Sequence, residues 1–359
     1  MYNGAALKFI YCKIVNRIII IGNGFDLAHG LKTSYGDFLN WFKSKKIKNS
    51  DEYIEHIYSP VWDAYLGTNT PKVSLFLTRR RIEPANLYEF ISNNKEYKLV
   101  YKNKFLEHLI NAQNLKNWAD VEEEYFSELK IRFHNYKKDK NIDSLVRLNR
   151  DFAQVKNYLE EYLCGQNEKN VTVKENLKAS ITKPFDMSDN VSEPAELDKA
   201  LFLNFNYTSY EHHYARYRAQ IIHIHGELKN GENPIIFGYG DDDDETYEGI
   251  KKINRKEFFA NIKSFNYSNV NNYKNLMTFV KAAPYQIYIW GHSCGNSDST
   301  LLKQLFEDDN CVSIRPFYHI WENGNDNYSD LVTSISRHIS DDAVFRSKIM
   351  NKELCGELK

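Results

Sequence analysis

Cysteine is scarce in this sequence, and its placement is the first constraint on the class of protein. The 359 residues include five cysteines, which are Cys12, Cys164, Cys294, Cys311 and Cys355. Their number is odd, they lie far apart, and none of them forms a Cys-x-x-Cys pair. This pattern argues against a zinc ribbon, and it favours a reducing compartment.

Long apolar runs are also absent from the sequence. The longest aliphatic stretch, residues 18–21, is far too short to span a bilayer. The N-terminus lacks an apolar region followed by a small-residue cleavage site, which a secretory signal would need. We therefore expect a cytoplasmic protein that does not contact membranes.

Neither sign of charge is in excess. The 47 Lys and Arg residues nearly balance the 48 Asp and Glu residues, which leaves a formal net charge of -1. No long-range field would draw such a molecule onto nucleic acid, so we do not expect general nucleic-acid binding. Hydrophobic residues at 42% and charged residues at 26% are typical of a globular protein, here one rich in Tyr and Phe.

The apolar pattern that is present predicts an α/β fold. The β-branched run 17–21 ends at a glycine turn and predicts a buried first strand, after which Thr33 or Ser34 can cap a helix. Later strand signals lie at 200–203, 221–224, 235–237, 286–290 and 312–320. Most are short apolar runs with helical stretches between them, which favours a mainly parallel sheet buried on both faces. We expect a Rossmann-like fold.

The sheet is expected to be split along the chain. We predict a tail at 1–16, a core formed by 17–47 and 197–325, and a large, mostly helical insertion at 48–196. The polar stretch 166–196 of that insertion suggests a loop. Residues 326–359 are predicted to form a C-terminal helical segment.

The glycine turn is the first candidate for binding a ligand. It consists of Gly22, Asn23, Gly24, Phe25 and Asp26. It follows the first strand, where parallel sheets bind ligands, and its glycines and amides could approach a diphosphate. The complete dinucleotide fingerprint fails because Leu27 replaces the third glycine, and Leu31 interrupts a P-loop pattern. A tight turn without a ligand is the alternative.

Two further segments follow predicted strands. In residues 204–208, Asn206 could hold a ribose hydroxyl or a water, although a plain Asn-rich turn is the alternative. Alternation along the next strand places His223 and His225 on one face, and Gly226 opens space beside them. Such a histidine can act as a general base, whereas a packed pair is the simpler interpretation and zinc would need further ligands.

The segment 291–298 places small residues and hydroxyls after another strand. Within it, Gly291, Ser293 and Asp298 could contact a ribose. The formal Gly-x-Ser-x-Gly pattern raises an α/β-hydrolase alternative, which we disfavour because the later His319 and His338 lack a suitable loop context.

Two charged clusters are less informative. The acidic run 241–245 is a solvated turn more readily than a calcium loop, because it lacks the spacing of calcium ligands. The pair His212 and His213 is expected to point to different sides of a helix and to form no site.

In this order, the motifs resemble the AbiH family of bacterial abortive-infection proteins. The resemblance extends through nearly the whole chain, and it is carried by residues 22–38, 118–122, 204–208, 224–227, 235–238 and 291–298. More distantly, the chain resembles the sirtuin-like NAD-cleaving domains of antiphage systems. On that comparison Asn206 matches a catalytic asparagine and His225 a catalytic histidine, while Thr208 replaces the usual aspartate. The missing zinc ribbon argues against an acyl-lysine substrate.

The resemblance implies an antiphage effector that hydrolyses NAD to ADP-ribose and nicotinamide. We expect no metal, because the histidine pair would need further ligands to bind zinc. The implied NAD-binding residues are Gly22, Asn23, Gly24, Phe25, Asp26, Gly226, Gly291, Ser293 and Asp298. A phage-derived trigger and a second copy of the chain are possible partners. One alternative, favoured by Thr208, is a sensor that binds NAD or ADP-ribose without cleaving it. Another is an interaction protein whose aromatic-rich insertion contacts a phage component.

Overall fold

The computed structural model describes residues 13–46, 50–59, 73–112, 115–166, 172–191, 194–215, 219–240 and 244–358. The chain divides into two compact units. The first, which we call the sheet unit, contains residues up to 31, residues 168–235 and residues from 267 onward. The second, the helical unit, contains residues 32–167 and 236–266. Among the described residues, no helix is both long and apolar enough to cross a membrane.

The sheet unit contains a parallel sheet. Its strands are β1 (Lys13–Ile21), β4 (Ala195–Asn204), β5 (Ala219–His223), β6 (Tyr285–Trp290), β7 (Cys311–Tyr318) and β8 (Gly356–Glu357). They lie in the order β5-β4-β1-β6-β7-β8, and every neighbouring pair is parallel. All of β6 is buried, as expected for a strand covered on both faces. The predicted α/β class with a mainly parallel sheet is confirmed, and it is consistent with a Rossmann-like fold.

Helices follow most of these strands. They are α1 (Asn23–Ala28), α9 (Glu175–Ile181), α12 (Asn272–Ala282), α13 (Ser299–Glu307), α14 (Tyr328–Ser336) and α15 (Asp342–Lys348). In α13 the buried side chains recur at helical spacing, which explains how the helix covers an apolar surface. The last two helices lie within residues 326–359. The strand β8 beyond them was not predicted, because two residues carry no apolar pattern.

The first strand begins at Lys13 rather than at Arg17, so residues 13–16 of the predicted tail belong to the sheet. Lys13 pairs with Ala195 although the segment is too polar to be recognised as a strand. Arg17 is completely buried in the same strand. Its guanidinium donates hydrogen bonds to the carbonyls of Ser180 and Ile181, at 2.9 and 2.7 Å. These bonds offset the cost of burying a charge, and they tie the end of α9 to β1.

Among its described residues, the helical unit contains many helices and a two-stranded sheet. Its helices are α2 (Tyr35–Trp41), α3 (Ser50–Tyr53), α4 (Val73–Arg80), α5 (Leu87–Asn93), α6 (Lys104–Asn111), α7 (Trp118–Asp139), α8 (Asp143–Cys164), α10 (Glu245–Lys251) and α11 (Lys263–Asn266). The strands β2 (Ile54–Tyr58) and β3 (Lys98–Tyr101) pair antiparallel. Ser34 caps α2 in a reciprocal capping box with Asp37, as its position in the sequence predicted.

The predicted strand at residues 235–237 is wrong. These residues are buried, but they form no strand. Phe237 instead stacks on Phe152, with ring centroids 4.9 Å apart and planes within 4°. Aromatic packing rather than a hydrogen-bonded ladder therefore accounts for this apolar run.

A buried ion pair joins two elements of the helical unit. The Nζ atom of Lys263 lies 2.7 Å from Oε2 of Glu122, and both residues are almost completely buried. The other carboxylate oxygen, Oε1, accepts a hydrogen bond of 3.2 Å from the Gly238 amide. Each oxygen of Glu122 therefore has a fixed partner, so this carboxylate fits a structural role.

Candidate functional site at the carboxyl edge of the sheet

The glycine turn lies where β1 passes into α1, and it packs closely against the loop that follows β6. A Cβ atom on Gly22 would lie 2.5 Å from the Cα atom of His292, and one on Gly24 would lie 2.8 Å from the carbonyl oxygen of Gly291. Gly291 itself has φ +71, and a Cβ there would lie 2.0 Å from the Phe25 nitrogen. The close approach of two loops therefore explains why these positions are glycine.

Three amides of the turn serve the backbone. The Gly22 amide donates to the Trp290 carbonyl at 3.1 Å, and the Gly24 amide donates to the Gly291 carbonyl at 2.8 Å. The Phe25 amide donates to the Gly22 carbonyl at 2.9 Å. These three amides are thus engaged in holding the turn. The Asn23 side chain is half-buried.

Asn206 lies directly against this turn. Its Nδ2 atom donates to the Gly22 carbonyl at 3.0 Å, and its backbone amide donates to Oδ1 of Asn204 at 2.7 Å. The Nδ2 atom of Asn204 donates in turn to the Thr208 carbonyl at 3.0 Å and to Oε2 of Glu211 at 2.6 Å. Asn204, the last residue of β4, therefore shapes the loop that carries Asn206.

The Thr208 side chain has a carboxylate beside it. Its hydroxyl donates a hydrogen bond of 2.6 Å to Oδ2 of Asp26, which is buried in the glycine turn. Thr208 occupies the position at which the sirtuin-like resemblance expects an aspartate. The carboxylate beside Thr208 comes from Asp26, in a different segment of the chain.

His225 belongs to a group of four ionisable side chains. Its Nε2 atom lies 3.2 Å from Oδ1 of Asp298 and 3.2 Å from the Tyr267 hydroxyl. The other oxygen of Asp298 lies 3.4 Å from Nε2 of His292. All four of these side chains are buried. Asp298 is thus shared by two imidazoles, one on each carboxylate oxygen.

The proton positions on His292 follow from its second ring nitrogen. The backbone amide of Cys294 donates to Nδ1 at 3.0 Å, so the proton of the neutral ring is on Nε2, facing Asp298. The Phe205 ring packs against His292 and His225, at centroid distances of 4.3 and 5.0 Å. Because Phe205 precedes Asn206, this packing brings the histidines to the segment that carries the asparagine.

The two histidines of the predicted pair have different surroundings. β5 ends at His223, so the alternation of a strand does not continue to His225. Nε2 of His223 lies 2.9 Å from Oε1 of Glu211, and Nδ1 lies 3.4 Å from the Asn206 carbonyl. Burial lowers the pKa of His223, but the hydrogen bond and charge of Glu211 outweigh burial and raise that pKa above its ordinary value.

Gly226, which follows His225, lies close to another backbone segment. Its φ is +80, and a Cβ there would lie 2.2 Å from the Pro234 carbonyl oxygen.

The loop after β6 exposes one of its side chains and buries others. Ser293 is exposed, whereas Cys294 is buried with φ 51, and its carbonyl contacts Nε2 of His338 at 2.9 Å. Burial raises the pKa of the Cys294 thiol, which argues against a thiolate nucleophile. Among the described residues, the buried Ser297 hydroxyl has no hydrogen-bond partner.

Several functional candidates were missed by the sequence motifs. His292 lies inside the predicted segment 291–298, and its position after β6 could have suggested it. Tyr267 and Glu211 carry no comparable signal, because each lies in a short turn of 3-10 helix. Of the predicted acidic cluster 241–245, residues 241–243 lie outside the described residues.

Comparison with known proteins identifies the family. Residues 18–319 match the family model described as bacteriophage abortive infection AbiH. That match covers most of the chain, and it includes Asn206, His225 and Asp298. No curated protein matches the sequence significantly. The chain therefore belongs to the AbiH family of bacteriophage abortive infection proteins.

Proposed function

We propose that this AbiH protein is an abortive-infection effector that hydrolyses NAD to nicotinamide and ADP-ribose. One observation carries the proposal: His225 shares the Asp298 carboxylate with His292, on the same sheet edge as Asn206. A buried histidine oriented by a carboxylate is a suitable general base near neutral pH.

The orientation of His225 supports that role. A carboxylate accepts hydrogen bonds, so the proton of the neutral ring belongs on Nε2, between Asp298 and Tyr267. The basic nitrogen is then Nδ1. When Nδ1 takes up a proton, the negative charge of Asp298 stabilises the resulting imidazolium.

The proposed reaction is a hydrolysis at the C1′ carbon of the nicotinamide ribose. The bond between C1′ and the nicotinamide nitrogen breaks, and its electron pair leaves with nicotinamide, which becomes neutral. A water oxygen bonds to C1′, while His225 accepts a proton from that water or from a ribose hydroxyl. Asn206 would hold the ribose or the water. The products are ADP-ribose, nicotinamide and one proton.

The polar groups along this edge suit a dinucleotide. Half-buried Asn23 and the exposed Ser293 hydroxyl can hydrogen-bond to phosphate or ribose oxygens. The diphosphate would lie beside residues 22–24, although three amides of this turn already bind carbonyls. Side chains rather than these amides would therefore provide most of the recognition. Asp298 would act through its histidines more than through a ribose.

The direct test is release of nicotinamide from NAD by the purified full-length protein, measured by chromatography. We expect His225→Ala to lower turnover by about a hundred- to ten-thousand-fold, the usual contribution of a general base. Asn206→Ala should also lower turnover, whereas His134→Ala, at an exposed position in the helical unit, should not. Equal release by wild type and the His225→Ala, Asn206→Ala double variant would contradict the assignment.

A second measurement, of cellular NAD during infection, is needed because the enzyme could be inactive until a phage infects the cell. NAD would be measured in phage-infected cells that express wild type or His225→Ala at equal levels. NAD should fall only with the wild type. If purified protein binds NAD and returns it unchanged, and cellular NAD stays constant, the sensor alternative replaces hydrolysis. Thr208, which stands where the sirtuin-like resemblance expects an aspartate, is the residue that favours this alternative.

A further inference from the structure

A second cluster of ionisable side chains lies where β4 and β5 end. Glu211, His212 and His223 each present one donor atom, and these atoms lie within 4.8 Å of one another. Oε1 of Glu211 is 2.9 Å from Nε2 of His223 and 3.8 Å from Nε2 of His212. Oε1 of Glu227 is 3.8 Å from Nε2 of His223. Ligand atoms around tetrahedral zinc are about 3.3 to 3.6 Å apart, so small side-chain movements would close this cluster around an ion.

Neighbouring polar groups orient the two buried donors, Glu211 and His223. The Nδ2 atom of Asn204 donates to Oε2 of Glu211 at 2.6 Å, which leaves Oε1 facing His223. Nδ1 of His223 lies 3.4 Å from the Asn206 carbonyl. A proton on Nδ1 leaves the lone pair of the ring on Nε2, which is the arrangement typical of metal-binding histidines.

The members of the cluster differ in their exposure to solvent. The side chains of Glu211 and His223 are 0% and 4% exposed, whereas that of His212 is 60% exposed. An ion could therefore enter from solvent on the His212 side and bind the buried donors behind it. Glu227 is 29% exposed, and its carboxylate would add a second negative charge next to the ion.

We propose that Glu211, His212 and His223, with Glu227 as a fourth ligand, bind one divalent transition-metal ion, and that zinc fits best. Two imidazoles and two carboxylates suit zinc, whereas calcium and magnesium take mainly oxygen ligands in larger numbers. The proposal does not depend on NAD chemistry. It departs from the expectation of no metal, which was based on histidines considered without Glu211.

His212 and His213 provide a matched pair of variants to test the site. They are neighbours on the same short turn, but the His213 ring packs on Tyr210, at a centroid distance of 4.7 Å. The full chain would be stripped with a chelator, mixed with zinc chloride, separated from free ion and analysed for bound metal. Wild type and His213→Ala should each retain about one zinc ion. His212→Ala should bind zinc at least about tenfold more weakly.

Cobalt(II) supplies a second measurement, because its visible absorption reports the number of ligands. Wild type and His213→Ala should give the intense bands of a four- or five-coordinate ion, and His212→Ala should give weaker bands. His212 is exposed, so its removal should leave folding intact, and circular dichroism would check this. The proposal is overturned if wild type retains no zinc, or if His212→Ala and His213→Ala bind zinc and cobalt equally well.

Discussion

Two buried carboxylates, one in each unit, differ in the partners that surround them. Glu122 of the helical unit binds the ammonium of Lys263 and a backbone amide. Asp298 of the sheet unit faces His225 and His292. An ammonium and an amide keep their protons near neutral pH, whereas an imidazole exchanges its proton there. The comparison indicates that burial alone does not identify a functional carboxylate, because the partner decides whether it can support proton transfer.

The largest expected effect is on stability, at the Glu122 pair. Lys263→Met removes the ammonium group and leaves the buried carboxylate of Glu122 without its positively charged partner. We expect this change to lower the free energy of unfolding by about 3 to 5 kcal/mol, as when one partner of a buried ion pair is removed. Urea denaturation followed by circular dichroism would measure it. NAD turnover per folded molecule should not change.

A double variant separates the charge from the packing at this position. Glu122→Gln with Lys263→Met removes both charges, and a glutamine oxygen can still accept the hydrogen bond of the Gly238 amide. This variant should recover most of the lost stability. If the double variant is as unstable as Lys263→Met alone, the lost stability comes from the packing of the Lys263 side chain and not from the unpaired charge of Glu122.

The second effect is on turnover, at the Asp298 group. Asp298→Asn preserves the shape of the side chain but removes the negative charge that, under the proposed function, would stabilise a protonated His225. We expect kcat for NAD hydrolysis to fall about a hundredfold, at the low end for general-base catalysis, because the base itself remains. KM and the melting temperature should change little. The exposed Asp309→Asn is the control, and an equal loss of kcat in both variants would contradict the role of Asp298.

Local patterns explain which parts of this protein could be predicted. The run 17–21 and its glycine turn carry a strand signal and a turn signal within ten residues, and the structure has β1 and α1 there. The capping box at Ser34 is equally local. By contrast, the start of β1 at Lys13 depends on pairing with Ala195, which lies far along the chain. Short-range patterns contain no information about such a pairing.

The candidate site shows the same limit. The segments containing Asn206, His225 and Asp298 were found because each follows a strand, and parallel strands bring their carboxyl ends to one edge. Their partners were not found. Tyr267 approaches His225 from a short turn, and Glu211 approaches His223 from another. In the sequence these residues look like ordinary polar surface, and only the tertiary structure reveals that Glu211 is buried.

His29 extends the comparison to a histidine that has no carboxylate partner in these two hydrogen bonds, since it contacts a carbonyl and a phenol. His29 lies 2.7 Å from the Phe25 carbonyl through Nδ1 and 2.6 Å from the Tyr214 hydroxyl through Nε2. The Tyr214 oxygen accepts a bond from the Lys174 amide, and a neutral His29 ring can donate from Nδ1 to Phe25 and accept the Tyr214 proton on Nε2. Burial, followed by the positive charges of Lys174 and His213, lowers the pKa of His29, although the Phe25 carbonyl opposes this shift.

The smallest expected effect is the pH dependence that His29 confers on stability. Its pKa is lower in the folded protein than its ordinary value of 6.5, so the unfolded chain binds the proton more tightly. The contribution of His29 is therefore fully present above pH 6.5, and it is lost as the pH falls from 6.5 towards the folded pKa. His29→Asn keeps a donor for the Phe25 carbonyl but cannot titrate. Between pH 7.5 and 5.5 its melting temperature should fall less than that of wild type, whereas the exposed His134→Asn should follow wild type. If the melting temperatures of all three proteins fall equally with pH, protonation of His29 does not destabilise the folded protein, and the prediction is wrong.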